Sequence, residues 1–351
     1  MSSLQWKRAK MRIILLGFGV VGQSFLQLLT LRYNELASIY GLRPRIVAIV
    51  DKKGAAIDER GLDMKKMLKV KKEMGSVSKA DDKGFPNLSA EEVIKKTEAE
   101  IVIEVTPTDI KSGEPGLTHI ETSIKSGKHV ITTNKGPLAL ALPALMDLAE
   151  YNGVYLRFSG TVGGGMPILD LGRKCLIADR IISIRGILNG TTNYILTEMS
   201  EKNIEFNEAL RKAQELGYAE KDPSLDIDGF DTASKLVIMA NWIMGKKVTL
   251  KDVKINGIRN ITLKDLMDAD KNGKTIKLIG SIDKELEVKP KEISKKDVLC
   301  VHGTFNAVTF VSEFAGEETI IGKGAGGMET ASAILRDLID IKTNLSARMM
   351  T

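Results

Sequence analysis

The 351-residue sequence predicts an α/β fold in two domains, the first a parallel sheet flanked by helices and the second an α+β unit. Three observations carry this reading. Strand-length apolar runs alternate with helix-spaced segments as far as residue 158. A glycine-rich turn separates the first such strand from the first helix. After Gly160 the alternation gives way to longer helices followed by short strands.

Taken in order, residues 12–16 form an apolar run ending at Gly17, which suits a buried parallel strand. Residues 20–36 have helical spacing. Residues 46–50 read as a second strand ending at Asp51, and 101–105 as another, stopped by Thr106-Pro107. A helix near 117–126, a strand at 128–133, a helix at 139–151 and a strand at 154–158 complete the alternation. The triple glycine Gly163–Gly165 breaks it, and a helix is expected from about Met166, then a strand at 180–188. Helices at 191–199 and 205–216 precede a polar loop, 217–230, and a clear helix at 231–244 with Asp at its start and Gly245 at its end. Strands are expected at 275–282, 298–303 and 309–313, and a last amphipathic helix at 328–341. The expected domains are 1–150, joined by the C-terminal helix within 326–351, and 151–325.

Composition narrows the class. A 43% hydrophobic and 27% charged chain is an ordinary globular one. Two cysteines, Cys175 and Cys300, are too few for a disulfide framework and lack metal spacing, so a reducing, cytoplasmic compartment is expected. No run of eighteen apolar residues occurs, so no membrane partner is expected. The net charge of +6 sits on mixed Lys and Glu, and the basic runs 65–72 and 246–254 lack interleaved aromatics, which argues against nucleic acid.

Gly17-Phe18-Gly19-Val20-Val21-Gly22 fits G-x-G-x-x-G after a strand and at the opening of a helix. That context is the Rossmann dinucleotide-binding turn: glycines permit the tight bend and close approach of a pyrophosphate, and the helix start offers free N–H groups. Asp51, ending the second strand, suits a ribose diol, whereas Lys52 and Lys53 beside it suit a 2′-phosphate. NAD and NADP both stay open.

Of three histidines, His119, His129 and His302, none stands at ligand spacing, so acid–base chemistry falls to lysines and carboxylates. Glu220, Asp222, Asp226, Asp228, Asp231 and Lys235 form the densest polar cluster. Asp231 and Lys235 are four apart and share a helix face, and the nine residues after Lys235 are almost wholly apolar. A structural ion pair and a functional ammonium both fit such a lysine.

The string from Ala213 through Gly217-Tyr218-Ala219, Asp222-Pro223, Asp226-Ile227, Gly229 and Asp231 to Lys235 resembles the signature segment of homoserine dehydrogenases. Thr133-Asn134-Lys135-Gly136-Pro137, the turn from Gly160 to Pro167, Asn189 to Ile195, and Gly322 to Gly327 with Thr330-Ala331 resemble further family stretches, in family order. The resemblance implies interconversion of L-aspartate 4-semialdehyde and L-homoserine with NAD or NADP. It implies Lys235 as general acid, Asp231 orienting it or a water, and Lys135 as a second proton donor or a carboxylate partner. Glu220 and Asp226 would hold the substrate ammonium, with Gly190 and Thr191 beside it. On the cofactor side it places Thr106, Pro107, Lys135 and Gly326 with the glycine turn, and a homodimer as the assembly.

Family members often hold a monovalent cation through backbone carbonyls here supplied by Val162 and Gly164, together with a Glu. Ser159 stands at that Glu position, so weaker or absent Na+ or K+ binding is expected. Two rival readings are an acyl-enzyme semialdehyde dehydrogenase, using Cys300 two residues from His302 on one strand face, and a dinucleotide sensor without chemistry.

Overall fold

The computed structural model describes residues 10–348. The chain forms two compact units, one containing residues up to Thr161 together with those from Gly326 onward, the other Val162–Ala325. The first unit extends beyond the expected limit at residue 150, because a short strand at 156–157 pairs with its sheet.

That sheet has seven strands in the order β4-β3-β2-β1-β5-β6-β7. They are β1 (Lys10–Leu16), β2 (Arg43–Asp51), β3 (Gly54–Ile57), β4 (Gly84–Pro86), β5 (Ile101–Glu104), β6 (His129–Thr132) and β7 (Leu156–Arg157). β2, β1, β5, β6 and β7 are parallel, and β3 and β4 add an antiparallel edge that the sequence pattern does not show. The β1 run lacks polar alternation because both faces are covered. Ile13 and Leu15 join one core with Phe25, Leu29, Ile334 and Leu338, whereas Ile14 and Leu16 join another with Val47, Val93 and Val102. The first of those cores is closed by helices α1 (Val20–Ile39) and, from the chain's other end, Gly327–Arg348. Between them in sequence lie α2 (Met64–Met74), α3 (Ala90–Lys96), α4 (Gly116–Lys125) and α5 (Lys135–Tyr151). Parallel pairing brings the carboxyl ends of β1, β2, β5 and β6 to one edge, where open α/β sheets bind ligands.

The second unit is a six-stranded sheet, β13-β12-β8-β10-β11-β9. Its strands are β8 (Ile181–Ile187), β9 (Val253–Ile255), β10 (Lys274–Ile282), β11 (Leu286–Ser294), β12 (Phe305–Ser312) and β13 (Gly316–Lys323). Its helices are α6 (Gly190–Lys202), α7 (Phe206–Glu215), α8 (Ser224–Ile227), α9 (Phe230–Trp242) and α10 (Leu263–Lys271), and the Gly327 helix is α11. α6, α9 and α10 pack on the sheet. The helix expected from Met166 is short, spanning Ile168–Asp170 and a wider turn to Cys175.

The strand expected at 298–303 is not formed. Asp297 turns the chain, its carboxylate accepting from the Leu299 N–H (2.8 Å) and its carbonyl from that of Cys300 (2.8 Å). Leu299 is buried as a plug against Ile187, Ile279 and Ala307, so an apolar loop residue mimics strand alternation. Among the described residues no helix is long and apolar enough to cross a membrane.

Candidate active site

In the first unit, the glycine turn lies at the carboxyl edge of the sheet. Gly17 has φ +95°, and a Cβ there would come 2.6 Å from the Val105 carbonyl oxygen. A Cβ on Gly22 would come 2.3 Å from the Gly17 carbonyl oxygen, so strand and helix meet closely only without side chains. Phe18 is buried and anchors the turn, while Val21 packs beside that core. Gly19 has nothing within 4 Å of its missing Cβ, no side chain caps α1, and Val20 is 73% exposed. Free N–H groups beneath open space fit a dinucleotide pyrophosphate.

Asp51 is not a free ribose acceptor. One carboxylate oxygen accepts from the Lys53 N–H (3.0 Å) and Ser76 Oγ (2.8 Å), the other from Lys71 Nζ (2.7 Å) and the Val77 N–H (3.1 Å). Four donors fill the lone-pair sites of a carboxylate, so a ribose hydroxyl has to displace one. Burial opposes ionisation, but these donors outweigh it and hold the Asp51 carboxyl below its usual range. Lys52 and Lys53 are exposed beside it.

At the ends of β5 and β6, the fully buried Glu104 accepts from the Thr106 N–H (2.9 Å), from Thr106 Oγ1 and from Thr132 Oγ1 (2.9 Å). Asn134 ties this edge together. Its Nδ2 donates to the Pro107 carbonyl (3.2 Å) and its Oδ1 accepts from the Gly136 N–H, capping α5 one residue before Lys135. Lys135 therefore sits in the first turn of a helix that begins at the ligand edge. Gly326, with φ +139°, precedes α11 and accepts from the Thr330 N–H. Ser159 Oγ donates to Asp337 Oδ1 (2.7 Å) and accepts from Arg336, so its oxygen is already committed.

In the second unit, β8 runs into Asn189, which caps α6, and α9 carries the lysine–aspartate pair. Lys235 is buried, and its Nζ donates to Asp231 Oδ2 (2.7 Å) and to the Leu188 carbonyl (2.5 Å). Asn189 Nδ2 donates to Asp226 Oδ1 (2.6 Å) and to Asp231 Oδ2 (2.8 Å). Burial and the neighbouring Asp231 raise the Asp226 carboxyl above its ordinary range, while Asn189, Lys235 and Thr191 pull the other way. Thr191 Oγ1 also donates to the Tyr218 carbonyl (2.7 Å), and a Cβ on Gly190 would come 2.8 Å from the Thr304 carbonyl oxygen. Tyr218, Tyr194, Thr304 and Phe305 line a cleft of about 600 Å³ beside this helix start.

Asp226, Asp231, Lys235 and Thr191 are thus brought together, and Gly190 adjoins them. Glu220 is exposed on the turn before α8, with its carbonyl held by Gln214. Val162 is buried, and Gly163 and Gly164 both have positive φ.

Comparison with known proteins decides the family. The family model for homoserine dehydrogenase matches residues 167–339, and that for the homoserine dehydrogenase NAD binding domain matches 17–159. The homoserine dehydrogenase of Methanocaldococcus jannaschii is 48% identical over 332 residues, covering 94% of this chain and 98% of that protein.

The chain belongs to the homoserine dehydrogenase family.

Its activity is accordingly that of an NAD(P)-dependent oxidoreductase interconverting L-homoserine and L-aspartate 4-semialdehyde. A structure from Archaeoglobus fulgidus, described as a candidate homoserine dehydrogenase, superposes with a TM-score of 0.88 at 38% identity, covering 95% of this chain and 99% of that one. A hyperthermophilic archaeal homoserine dehydrogenase solved in complex with NADPH superposes with a TM-score of 0.84 at 28% identity, covering 96% and 98%.

Asn189 and the Tyr218 carbonyl border this cluster, and residue chemistry alone does not single them out. Both lie inside the family-like stretches, and the signal for Asn189 is its capping position before Gly190-Thr191. The acyl-enzyme rival loses its geometric premise. Cys300 and His302 lie on a loop, and His302 Nδ1 stands 2.9 Å from Glu201 Oε1.

Proposed function

We infer that Lys235 is the general acid when the semialdehyde is reduced and, by reversibility, its amine is the base when homoserine is oxidised. The observation that carries this is a buried ammonium held by one carboxylate and one carbonyl. Those two bonds fix its position and leave a third N–H for substrate. Carbonyl reduction builds negative charge on oxygen, which a fixed, desolvated ammonium stabilises and protonates. When bound, the nicotinamide cofactor supplies or removes the hydride.

Asp231 holds Lys235, and Asp226 with Glu220 takes the substrate ammonium. Thr191 and Gly190 close the site beside them, the glycine leaving room against Thr304. Lys135, at a helix start on the ligand edge of the first unit, serves the substrate carboxylate or a second proton. The glycine turn 17–22, Thr106, Pro107 and Gly326 hold the cofactor in the first unit. The second unit binds substrate.

Na+ or K+ would rest on the backbone carbonyls of Val162 and Gly164; Ser159 supplies no carboxylate and its hydroxyl is committed to Asp337, so little response to either ion is expected. A homodimer in a reducing cytoplasm is the proposed setting. Exposed Ile177, Ile182 and Phe314 on the second unit support the first, and two free cysteines the second. Sedimentation of the purified chain as a monomer would remove the dimer.

Paired assays test the whole reading. Homoserine with NAD or with NADP at alkaline pH, with and without added K+ or Na+, should give a rise in reduced-cofactor absorbance. No rise with either cofactor refutes it.

A further inference from the structure

Asn189 bears chemistry that neither its capping role nor the assigned residues explain. The residue is 4% exposed, and its Oδ1 accepts from the Thr192 N–H (2.9 Å), which fixes the amide's orientation. The two N–H bonds of Nδ2 then go one each to Asp226 and Asp231, carboxylates on different helices. Those partners lie 37 and 42 residues away in sequence. A flipped amide would set an oxygen against two carboxylates and would lose the helix cap.

We propose that Asn189 is a positioning residue for the reaction, carrying Asp226 and Asp231 on one nitrogen and so favouring their charged forms, Asp231 against Lys235 and Asp226 for the substrate ammonium. It rests on the roles inferred for Lys235, Asp231 and Asp226. An amide suits the task because it has two donors and no charge. A lysine would pair with and cancel the carboxylates, a serine offers one donor, and an aspartate offers none. The groups facing Asp226 are Asp231 and Lys235 from α9 and Asn189 and Thr191 from α6. Among them, Asn189 is the neutral donor shared by both acids. Without it, two partly buried carboxylates face each other with one lysine between them, and Asp226 takes up a proton at higher pH. A protonated Asp226 no longer attracts an ammonium.

The test uses the full chain with Asn189→Ser and Asn189→Asp. Both replacements cap a helix, so α6 keeps its start. The expected result is an acid limb of kcat/KM for homoserine moved upward by about one pH unit, with KM for homoserine raised about ten-fold near neutral pH. The larger shift is expected for Asn189→Asp, and cofactor Kd, read by fluorescence, stays within two-fold of the parent. Unchanged acid limb and KM in both variants overturn the proposal. So does a uniform loss of cofactor affinity, kcat and Tm with the limb in place, which marks a structural role alone. Carbon-13 titration of the Asp226 carboxyl, assigned with Asp226→Asn, gives a readout that needs no substrate. An Asp226 midpoint unmoved by Asn189→Ser overturns the proposal even if the parent chain fails to oxidise homoserine, a failure that by itself refutes only the reading of function.

Discussion

Lys235→Met removes a buried cation while keeping the length of the side chain. Two separable losses follow. The first is structural: Asp231, with its side chain 13% exposed, keeps the Asn189 bond but loses its counter-charge, and the Leu188 carbonyl loses a donor. Breaking one side of a buried pair costs about 3–5 kcal/mol, and the surviving Asn189 bond places this case near 3. At about 2–4 °C per kcal/mol for a unit of this size, melting of the second unit falls by roughly 6–12 °C. The second loss is catalytic. Without a proton donor the barrier rises by about 2.7–5.5 kcal/mol, so turnover falls by about 10²–10⁴-fold, with kcat and kcat/KM falling together. Lys235→Arg separates the two, because a guanidinium keeps a cation beside Asp231 but does not release its proton. Melting should recover by at least half in that variant, and turnover should not. The assay is initial-rate homoserine oxidation across pH, with cofactor Kd by fluorescence as the control. Turnover of Lys235→Met within about three-fold of the parent refutes the assignment of Lys235, as does Lys235→Arg recovering turnover along with stability.

Gly19→Ala adds a methyl where the fold has open space, so melting should be unchanged while cofactor Kd rises about ten-fold or more; Gly22→Ala, meeting the Gly17 carbonyl, should lower both affinity and stability. The Asp51 carboxyl is held low in the folded chain, so its stabilisation is present above the unfolded value of about 3.9 and is lost as pH falls through the lower folded one. Denaturation of Asp51→Asn should therefore show a deficit of about 1–3 kcal/mol at pH 6 that narrows below pH 4, and a deficit constant with pH refutes this account. Lys277, 2% exposed and bonded to Asn193 Oδ1 (2.8 Å) and Thr197 Oγ1 (3.0 Å), has its amine lowered by burial to about 8. The folded chain then sheds a proton that the unfolded chain keeps up to about 10.4, so stability owed to this site rises with pH between those values. Relative to Lys277→Met, the parent's stability should climb from pH 8 to 10, and parallel curves would show that the amine does not titrate there.

Local chemistry made much of this legible. Gly17, Gly19 and Gly22 announce their role because the constraint they answer, a strand turning sharply into a helix, lies within six residues. The Asp231–Lys235 pair is legible for the same reason, being one helical turn apart. Residues 298–303 misled because Leu299 is buried from a loop, and burial by a distant sheet prints the same apolar letter as burial within a strand. β3 and β4 were missed because strands of three and four residues are too short to print a periodic signal.

The sequence by itself determined the α/β class, the dinucleotide turn, the order of the family's motifs and the presence of a lysine four residues after an aspartate. Tertiary structure decided what those groups face. It closed Asp51 with donors from Lys71 and Ser76, engaged Ser159 with Asp337 from the far end of the chain, and set Asn189 between Asp226 and Asp231. The physical reason is range. Backbone geometry and helix pairing act over a few residues and leave a pattern in the letters, whereas a hydrogen bond between residues tens or hundreds of positions apart exists only once burial has brought them within 3 Å and removed the water that would otherwise satisfy them.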